Sequence, residues 1–447
     1  MARRDRQRET WRLRSGFVFA AIGSAAGLGN IWRFPHVTAD HGGAIFVMLY
    51  ISFIILVAVP VIIAEAAVGH RSRRSPIAAF QLLGRNTPWA VTGYLAVATI
   101  IVVLGYYGVV AGWTARYFFA AVSGALWSIP ASGYGAYFQE FVADGWTPIL
   151  WQAALMVITV AIVSAGVRGG IERCNRFMVP VLAIILVGFV AFALTLDGAA
   201  QGLEFLFRPD WTALSRPDVY LAALGQAFFS LGAGAGVYLT YGSYLPGRGG
   251  LARPALAVAA GDTAFALLAA LAIFPALFTF GGKISSGPGL AFVTLPELFR
   301  AMPAGAIFGS MFFLLLCLAA VTSMVSMLEV VVASLTGDGR QRPRVSLIAG
   351  LAIFALGVPA ALGFGPWKGV QLAGLGIFDV MDFAASNIAL PISGLLIATF
   401  VAWRWGRARA IAAANLGGAW SEAWFLALRY GAPVAIILVF LAATGII

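Results

Sequence analysis

The sequence predicts an all-α polytopic membrane protein of about eleven transmembrane helices, built as a 5+5 inverted repeat with broken helices 1 and 6. Three observations predict it. Apolar runs of about 20 residues or more recur along the 447-residue chain, and each is long enough to cross a hydrocarbon core. Arginines fall in short clusters between those runs rather than on one face. Two runs, five apart in order, are interrupted by glycines near their middle. Paired Gly-interrupted segments in corresponding halves point to an inverted-repeat transporter and to its site.

Composition excludes most other classes. The chain is 61% hydrophobic and 11% charged, with mean hydropathy +0.91, which no soluble domain of this length shows. The net charge of +11 is explained by topology and not by nucleic acid, because the cations sit in the connections. The first apolar run begins near Ser15 without a small-residue cleavage site, so no removable signal peptide is expected. Cys174 is expected in a cytoplasmic loop and Cys317 inside a helix, with no disulfide. The histidines, His36, His41 and His70, lack metal-ligand spacing and stand beside no nucleophile. An enzyme is therefore the least favoured class.

In chain order the spans fall at 15–38, 42–69, 89–123, 148–166, 174–196, 218–243, 253–282, 304–336, 344–362, 371–403 and 424–446. Residues 1–14 form a cytoplasmic N-terminal segment, 15–196 the first repeat, 218–403 the second, and 424–446 the added last span. The even-numbered connections carry most of the arginines, among them Arg71, Arg73, Arg74, Arg168, Arg173, Arg404 and Arg407. By the positive-inside rule the N-terminus is cytoplasmic, and an odd span count puts the C-terminus outside.

The first span carries Gly23, Gly27 and Gly29, followed by Asn30 and Arg33. Each glycine costs about 1 kcal/mol against alanine inside a helix, and polar groups at membrane depth mark functional sites by default. Unwinding near mid-membrane would expose amides and carbonyls to a solute and to cations. Close helix packing through small residues is the alternative. The sixth span repeats the signal with Gly232, Gly234 and Gly236.

These stretches resemble a known family. Residues 23–35 (GSAAGLGNIWRFP), 61–70 (VIIAEAAVGH), 105–113 (GYYGVVAGW), 225–236 (GQAFFSLGAGAG), 289–299 (GLAFVTLPELF), 319–324 (AAVTSM) and 380–383 (VMDF) are similar to the neurotransmitter:sodium symporters. Within that family they resemble bacterial members such as the bacterial leucine transporter and the bacterial hydrophobic amino-acid transporters. The resemblance implies two sodium sites. The first is a cage of the Ala25 carbonyl, Asn30, Ser230 through carbonyl and hydroxyl, Asp262 and the substrate carboxylate. The second comprises the Gly23, Ala26 and Ala319 carbonyls with the Thr322 and Ser323 hydroxyls. All-oxygen ligation suits a hard cation. Taken without the family, Thr322 and Ser323 read first as hydroxyls bonded back to their own helix.

Asp262 stands where the family commonly has Asn, and Ala266 where animal members carry a chloride-binding Ser. A carboxylate at 262 supplies the charge that chloride supplies elsewhere, so no chloride requirement is expected. A snorkelling acid is the alternative. Gly27 stands where monoamine transporters carry Asp, and this leaves room for the carboxylate of an α-amino acid. The Leu28 and Gly29 amides and the Tyr107 hydroxyl would hold that carboxylate, and carbonyls of Ala25, Phe229 and Ser230 the ammonium. Val103, Tyr107, Phe229, Gly232, Ala235, Ser323 and Met327 would line an uncharged side-chain pocket. Gly232 and Ala235 are small and Met327 is adaptable, which suits a bulky apolar or aromatic side chain.

Arg33, Gln226 and Asp382 resemble an outer gate, with arginine pairing as the latch. Arg8, Trp11, Ser243 and Tyr244 resemble a cytoplasmic gate, whose acid should fall near Gly337 and Asp338. Gly170 and Pro180 resemble a spacing linked to unwinding of span five during sodium release, or else they mark a plain kink. The implied activity is sodium-coupled import of a neutral, large hydrophobic or aromatic L-amino acid by alternating access. The protein would sit in the inner membrane of a bacterium, with the lipid bilayer and the small-molecule substrate as its partners and no nucleic acid. The rivals are a sodium symporter for small neutral amino acids, a proton-coupled permease of the same architecture, and a receptor or channel. Thr322 and Ser323 disfavour the permease, whose relatives tend to place Lys there. Two gates disfavour a single pore.

Overall fold

A computed structural model describes residues 9–85, 87–247, 249–281, 288–336, 341–443 and 446. Each of the eleven predicted runs coincides with helix. Among the described residues nine continuous helices are long and apolar enough to span: Ala44–Ser72, Ala90–Val122, Thr147–Ser164, Val167–Ala193, Ala252–Phe280, Gly305–Thr336, Arg342–Leu362, Ile377–Trp405 and Ala419–Leu438. The first span is a tenth, made of Arg14–Ala25 and Gly29–Asp40 bent by 52°. The sixth is split into Pro217–Leu231 and Val237–Gly242. Broken helices 1 and 6 are thus features of the fold.

Sequence explains where these helices begin and break. Pro217 and Pro148 occupy the first turns of spans six and four, where a missing N–H is harmless and φ is already helical. Gly232 ends the outer half of span six at φ +62°, in the left-handed conformation that caps helices. Gly234 follows at φ +90°. A Cβ there would lie 2.8 Å from the Gly394 nitrogen, so glycine is required by conformation and by space.

Spans three and eight pack along most of their length and form the centre of the bundle with the two broken helices. The inner half of span six lies against span two, close enough that a Cβ on Gly69 would overlap the Leu239 carbonyl at 1.9 Å. On the side away from the N-terminus, two connecting helices, Tyr134–Ala143 and Leu295–Ala301 with its preceding turn, close over the bundle. Phe138 stacks on Phe292 at 5.5 Å, and Trp113 meets both rings edge-on.

Two boundaries correct the sequence reading. Span five starts at Val167 and not at 174, so Gly169, Gly170 and Arg173 lie in helix and the connection from span four is only Ala165–Gly166. Cys174 is accordingly helical and not in a loop. Span ten begins at Ile377, because Gln371–Leu372 and Leu375–Gly376 form a small hairpin. Its turn residues Ala373 and Gly374 have φ +52° and +80°, the signature of a type I′ turn.

Gly234→Ala is expected to destabilise the fold by about 1–3 kcal/mol, since strain and a backbone clash add. Gly232→Ala, with positive φ but nothing within 4 Å of its Cβ, should cost about 1–2 kcal/mol. Thermal unfolding in detergent, followed by size-exclusion chromatography, should rank the two. Equal midpoints would show that the Gly394 contact carries no energy.

Candidate functional site

The two breaks face each other in the bundle, and a cavity of about 90 Å³ lies between them. All eleven residues expected to contact substrate line it, from Ala25 and Leu28 through Tyr107, Phe229 and Gly232 to Met327. Sequence reasoning missed further lining residues, notably Ile100, Tyr106, Leu231 and Ser386. The Leu28 amide donates to the Tyr107 hydroxyl at 3.5 Å. A Cβ on Gly27 would lie 2.7 Å from Ser323 Oγ and 3.2 Å from Tyr107 Oη. Any side chain at 27 would therefore crowd this polar stretch of the cavity wall. Beside Gly232, which also lines the cavity, a Cβ would meet nothing within 4 Å, so the wall is open there.

Asn30, Ser230 and Asp262 converge from spans one, six and seven. The Asn30 amide donates to Asp262 Oδ1 at 2.7 Å and to the Asp262 carbonyl at 3.0 Å. Ser230 Oγ reaches Asp262 Oδ2 at 2.7 Å and Asn30 Oδ1 at 3.1 Å. Tyr50 of span two joins them, 3.4 Å from the carboxylate. Asp262 is fully buried, so the snorkelling alternative is excluded. A lone carboxylate among neutral oxygens is a donor set that fits a hard monovalent cation.

The second expected cluster is split in its bonding. Thr322 Oγ1 donates to the Ala319 carbonyl at 2.9 Å, a bond back to its own helix. Ser323 Oγ instead crosses to the Ser24 carbonyl at 3.1 Å, which ties span eight to the first break beside Ala26. Gly23 faces span five, where its Cβ would lie 2.0 Å from Asn175 Oδ1. That oxygen is buried and has no hydrogen-bond partner. Asn175 carried no sequence signal, since its meaning depends on a contact across the bundle. Gly170 sits in a π-helical turn and Pro180 inside continuous helix, so span five is wound here.

Glu65 was also missed, although its motif was read. Its Oε1 accepts the Gly234 amide at 2.5 Å, while Ser393 Oγ donates to the Gly234 carbonyl at 2.7 Å. Together they hold both polar groups of the residue at the centre of the sixth-span break.

Above the cavity, Arg33 donates to Gln226 Oε1 at 3.1 Å and lies 4.2 Å over the Phe229 ring. Phe229, Ser386 and Leu390 line both the cavity and an outer vestibule of about 370 Å³. One layer of side chains therefore separates them. Arg33 and Asp382 do not form the expected latch. Among the described residues Asp382 accepts from Ser386 Oγ at 2.8 Å, and Ser386 contacts the Tyr106 hydroxyl at 3.1 Å. Arg33 is instead retained by its stacking and its amide partner.

The N-terminal side is closed by a thicker plug. Trp11 is buried and bonds the carbonyls of Tyr241 through Nε1 and of Tyr244 through its amide. Tyr244 donates to Glu329 at 2.6 Å, and Glu329 pairs with Arg342. Ser243 bonds back to Thr240 and takes no part. Arg8, Gly337 and Asp338 lie outside the described residues, and the acid found at the plug is Glu329.

The chain matches the sodium:neurotransmitter symporter family over residues 8–133 and 144–447. It belongs to that family. The symporter is 38% identical to a sodium-dependent transporter of Bacillus subtilis, with 98% of each chain covered. It is 33% identical to one of Haemophilus influenzae, with 99% of each covered. Its structure matches the crystal structure of MhsT in complex with L-phenylalanine, with TM-score 0.91, 45% identity, and 98% of this chain and 100% of that one covered. The protein is thus a sodium-dependent, multi-pass membrane transporter of a small molecule and not an enzyme.

The plug carries a prediction. Glu329 is fully buried and the Arg342 side chain is 8% exposed, so Glu329→Leu strands a buried cation and should cost about 3–5 kcal/mol. Adding Arg342→Leu removes the stranded charge and should recover at least half of the lost stability. Additive losses in a thermal-unfolding double-mutant cycle would show that the pair is not coupled.

Proposed function

We propose that this symporter couples sodium to import of a large neutral hydrophobic or aromatic L-amino acid, without chloride. The observation that carries the reading is the shape of the cavity. Its wall has a polar stretch at Ser323 and Tyr107, kept free of side chains by Gly27, and an otherwise mostly apolar lining with open space beside Gly232. The Tyr107 hydroxyl and the amides of the first break suit a carboxylate, and carbonyls of the two breaks suit an ammonium. No charged side chain lines the cavity, so a charged substrate would be desolvated without compensation. The phenylalanine bound by MhsT supports the same class.

Two sodium ions would be cargo. The first would sit among Ala25, Asn30, Ser230 and Asp262, with the substrate carboxylate completing its shell. The second would sit among Gly23, Ala26, Ala319, Thr322 and Ser323, with the Thr322 hydroxyl turned from its present bond. Asp262 supplies fixed negative charge, and Ala266 offers no hydroxyl for an anion. In this reading the N-terminus is cytoplasmic, and Trp11 with Tyr244 forms the inner gate. Arginines in the even-numbered connections support the orientation. Unwinding of span five between Gly170 and Pro180 would release the second ion.

Asn30→Ala and Thr322→Ala should each weaken sodium-dependent binding of radiolabelled amino acid by about tenfold, or about 1.4 kcal/mol for a lost oxygen ligand. Uptake into proteoliposomes should persist when gluconate replaces chloride, and Asp262→Asn should abolish it or, with Ala266→Ser, make it chloride-stimulated. Equal binding in potassium and sodium, or wild-type uptake that collapses in gluconate, rejects the ion assignment.

Substrate size gives a second test. Each methylene that fills the space beside Gly232 and Ala235 is worth about 0.8 kcal/mol. Tryptophan, phenylalanine and leucine should outcompete alanine and glycine for wild type, and Ala235→Phe should invert the order. A wild-type preference for glycine or alanine would overturn the size argument and leave the ion assignment standing.

A further inference from the structure

Arg429 lies ten residues into the eleventh span, Ala419–Leu438, so its Cα is about 15 Å along the helix. An arginine at that depth needs a partner. Its Nε is buried and has no hydrogen-bond partner among the described residues. Its only contacts of any polar kind among the described residues are two aromatic faces, Trp403 at 5.9 Å and Tyr430 at 5.4 Å. Helical side chains lean toward the N-terminus of their helix, here toward the end where span eleven starts. Trp403 stands two residues before the end of span ten at Trp405. The guanidinium therefore snorkels to the level at which span ten ends.

The backbone is irregular at the same place. Three π-helical turns meet there: Ile54–Ala58 of span two, Phe400–Trp405 of span ten and Ala427–Gly431 of span eleven. Such turns are rare and frequently mark functional sites. Two of them carry Trp403 and Arg429 themselves. The surrounding surface faces outward, with Leu56 60%, Leu426 55% and Tyr430 55% exposed. Arg404 and Arg409 add positive charge at the rim.

We propose that Arg429 and Trp403 hold the phosphate of an anionic phospholipid in the leaflet on the N-terminal side. The guanidinium donates in a fork to two phosphate oxygens, the geometry that arginine makes best. The Trp403 ring sits at headgroup level, as interfacial aromatics do, and the rim arginines select negative headgroups. The acyl chains run along the exposed face of span eleven toward the bilayer centre, past Tyr430 and Val434. Among the described residues no carboxylate competes for the guanidinium, so the lipid is the acceptor that completes its bonding. The site places a lipid against span ten, which also carries Ser393 at the sixth-span break.

The test uses the full chain, purified and titrated with phosphatidylglycerol in native mass spectrometry. Wild type should retain one phosphatidylglycerol that Arg429→Gln loses, with occupancy lower by at least fivefold. Arg429→Lys, a point charge without the fork, and Trp403→Leu should each fall between. Sodium-dependent binding of the labelled amino acid should be unchanged in Arg429→Gln, which confirms that the variant is folded; if it is not folded, the Lys and Trp403 variants carry the comparison. Equal lipid occupancy in wild type and the variants overturns the site. Displacement of the lipid by millimolar inorganic phosphate overturns the lipid as its ligand. A wild-type dimer that dissociates in Arg429→Gln assigns the guanidinium to a second copy of the chain and overturns it as well.

Discussion

In hydrocarbon every backbone N–H and C=O must find a partner within the protein, because water is absent. That constraint governs the whole arrangement around the two breaks. A continuous span meets it alone, but Ala26–Leu28 and Gly232–Gly236 cannot. The missing partners come from elsewhere: Glu65 and Ser393 for the amide and carbonyl of Gly234, Tyr238 Oη for the Leu231 carbonyl at 2.6 Å, and Ser323 for the Ser24 carbonyl. These residues belong to spans two, ten, six and eight. The breaks therefore fix the positions of the scaffold as much as the scaffold fixes the breaks. What remains exposed at the cavity is the part of the broken backbone that a ligand can complete.

The two closures around that cavity are physically different. On the side away from the N-terminus a single layer of side chains, Phe229, Ser386 and Leu390, separates it from the second cavity, and Arg33 stacks on the Phe229 ring. On the N-terminal side the closure is a network. The Thr10 carbonyl and hydroxyl accept from Arg168, Glu9 accepts the Val167 amide, and Glu172 accepts the Arg12 amide and pairs with Arg176. Buried ion pairs such as Glu329–Arg342 add little net stability, because desolvation offsets the attraction. On the reading proposed above, such a network would make the closure all-or-none, because the N-terminal segment could leave only when several partners are released together.

Much of this was legible in local sequence. The glycine-interrupted runs located both breaks, and nine of the eleven expected substrate contacts lie within the motif strings, with Val103 and Met327 just outside them. The failures have a common physical source. Glu65, Glu329 and Asn175 act through partners 169, 85 and far more residues away, and no periodicity records such pairs. Span five was started too late because Arg168, Gly169 and Gly170 look like a connection, whereas Val167–Glu172 is stabilised as a π-helical turn by contacts to Glu9. The Ala373-Gly374 turn was hidden inside an apolar run. The expected Arg33–Asp382 contact is not made here, where Asp382 accepts from Ser386 and Arg33 donates to Gln226.

Asp262 connects these observations to coupling. Its carboxylate is fully buried and takes hydrogen bonds from Asn30, Ser230 and Tyr50, donors from three other spans. Hydrogen bonds to neutral groups offset only part of the cost of burying a charge. A cation beside the carboxylate would remove the remainder, and it would do so only while spans one, two, six and seven hold their present positions. On the reading proposed above, the same cation takes the substrate carboxylate as a ligand. Each then raises the affinity of the other by an equal factor, as linkage demands. Coupling in this protein would need no separate device. It would follow from placing one unneutralised carboxylate where four spans meet at the edge of a broken helix.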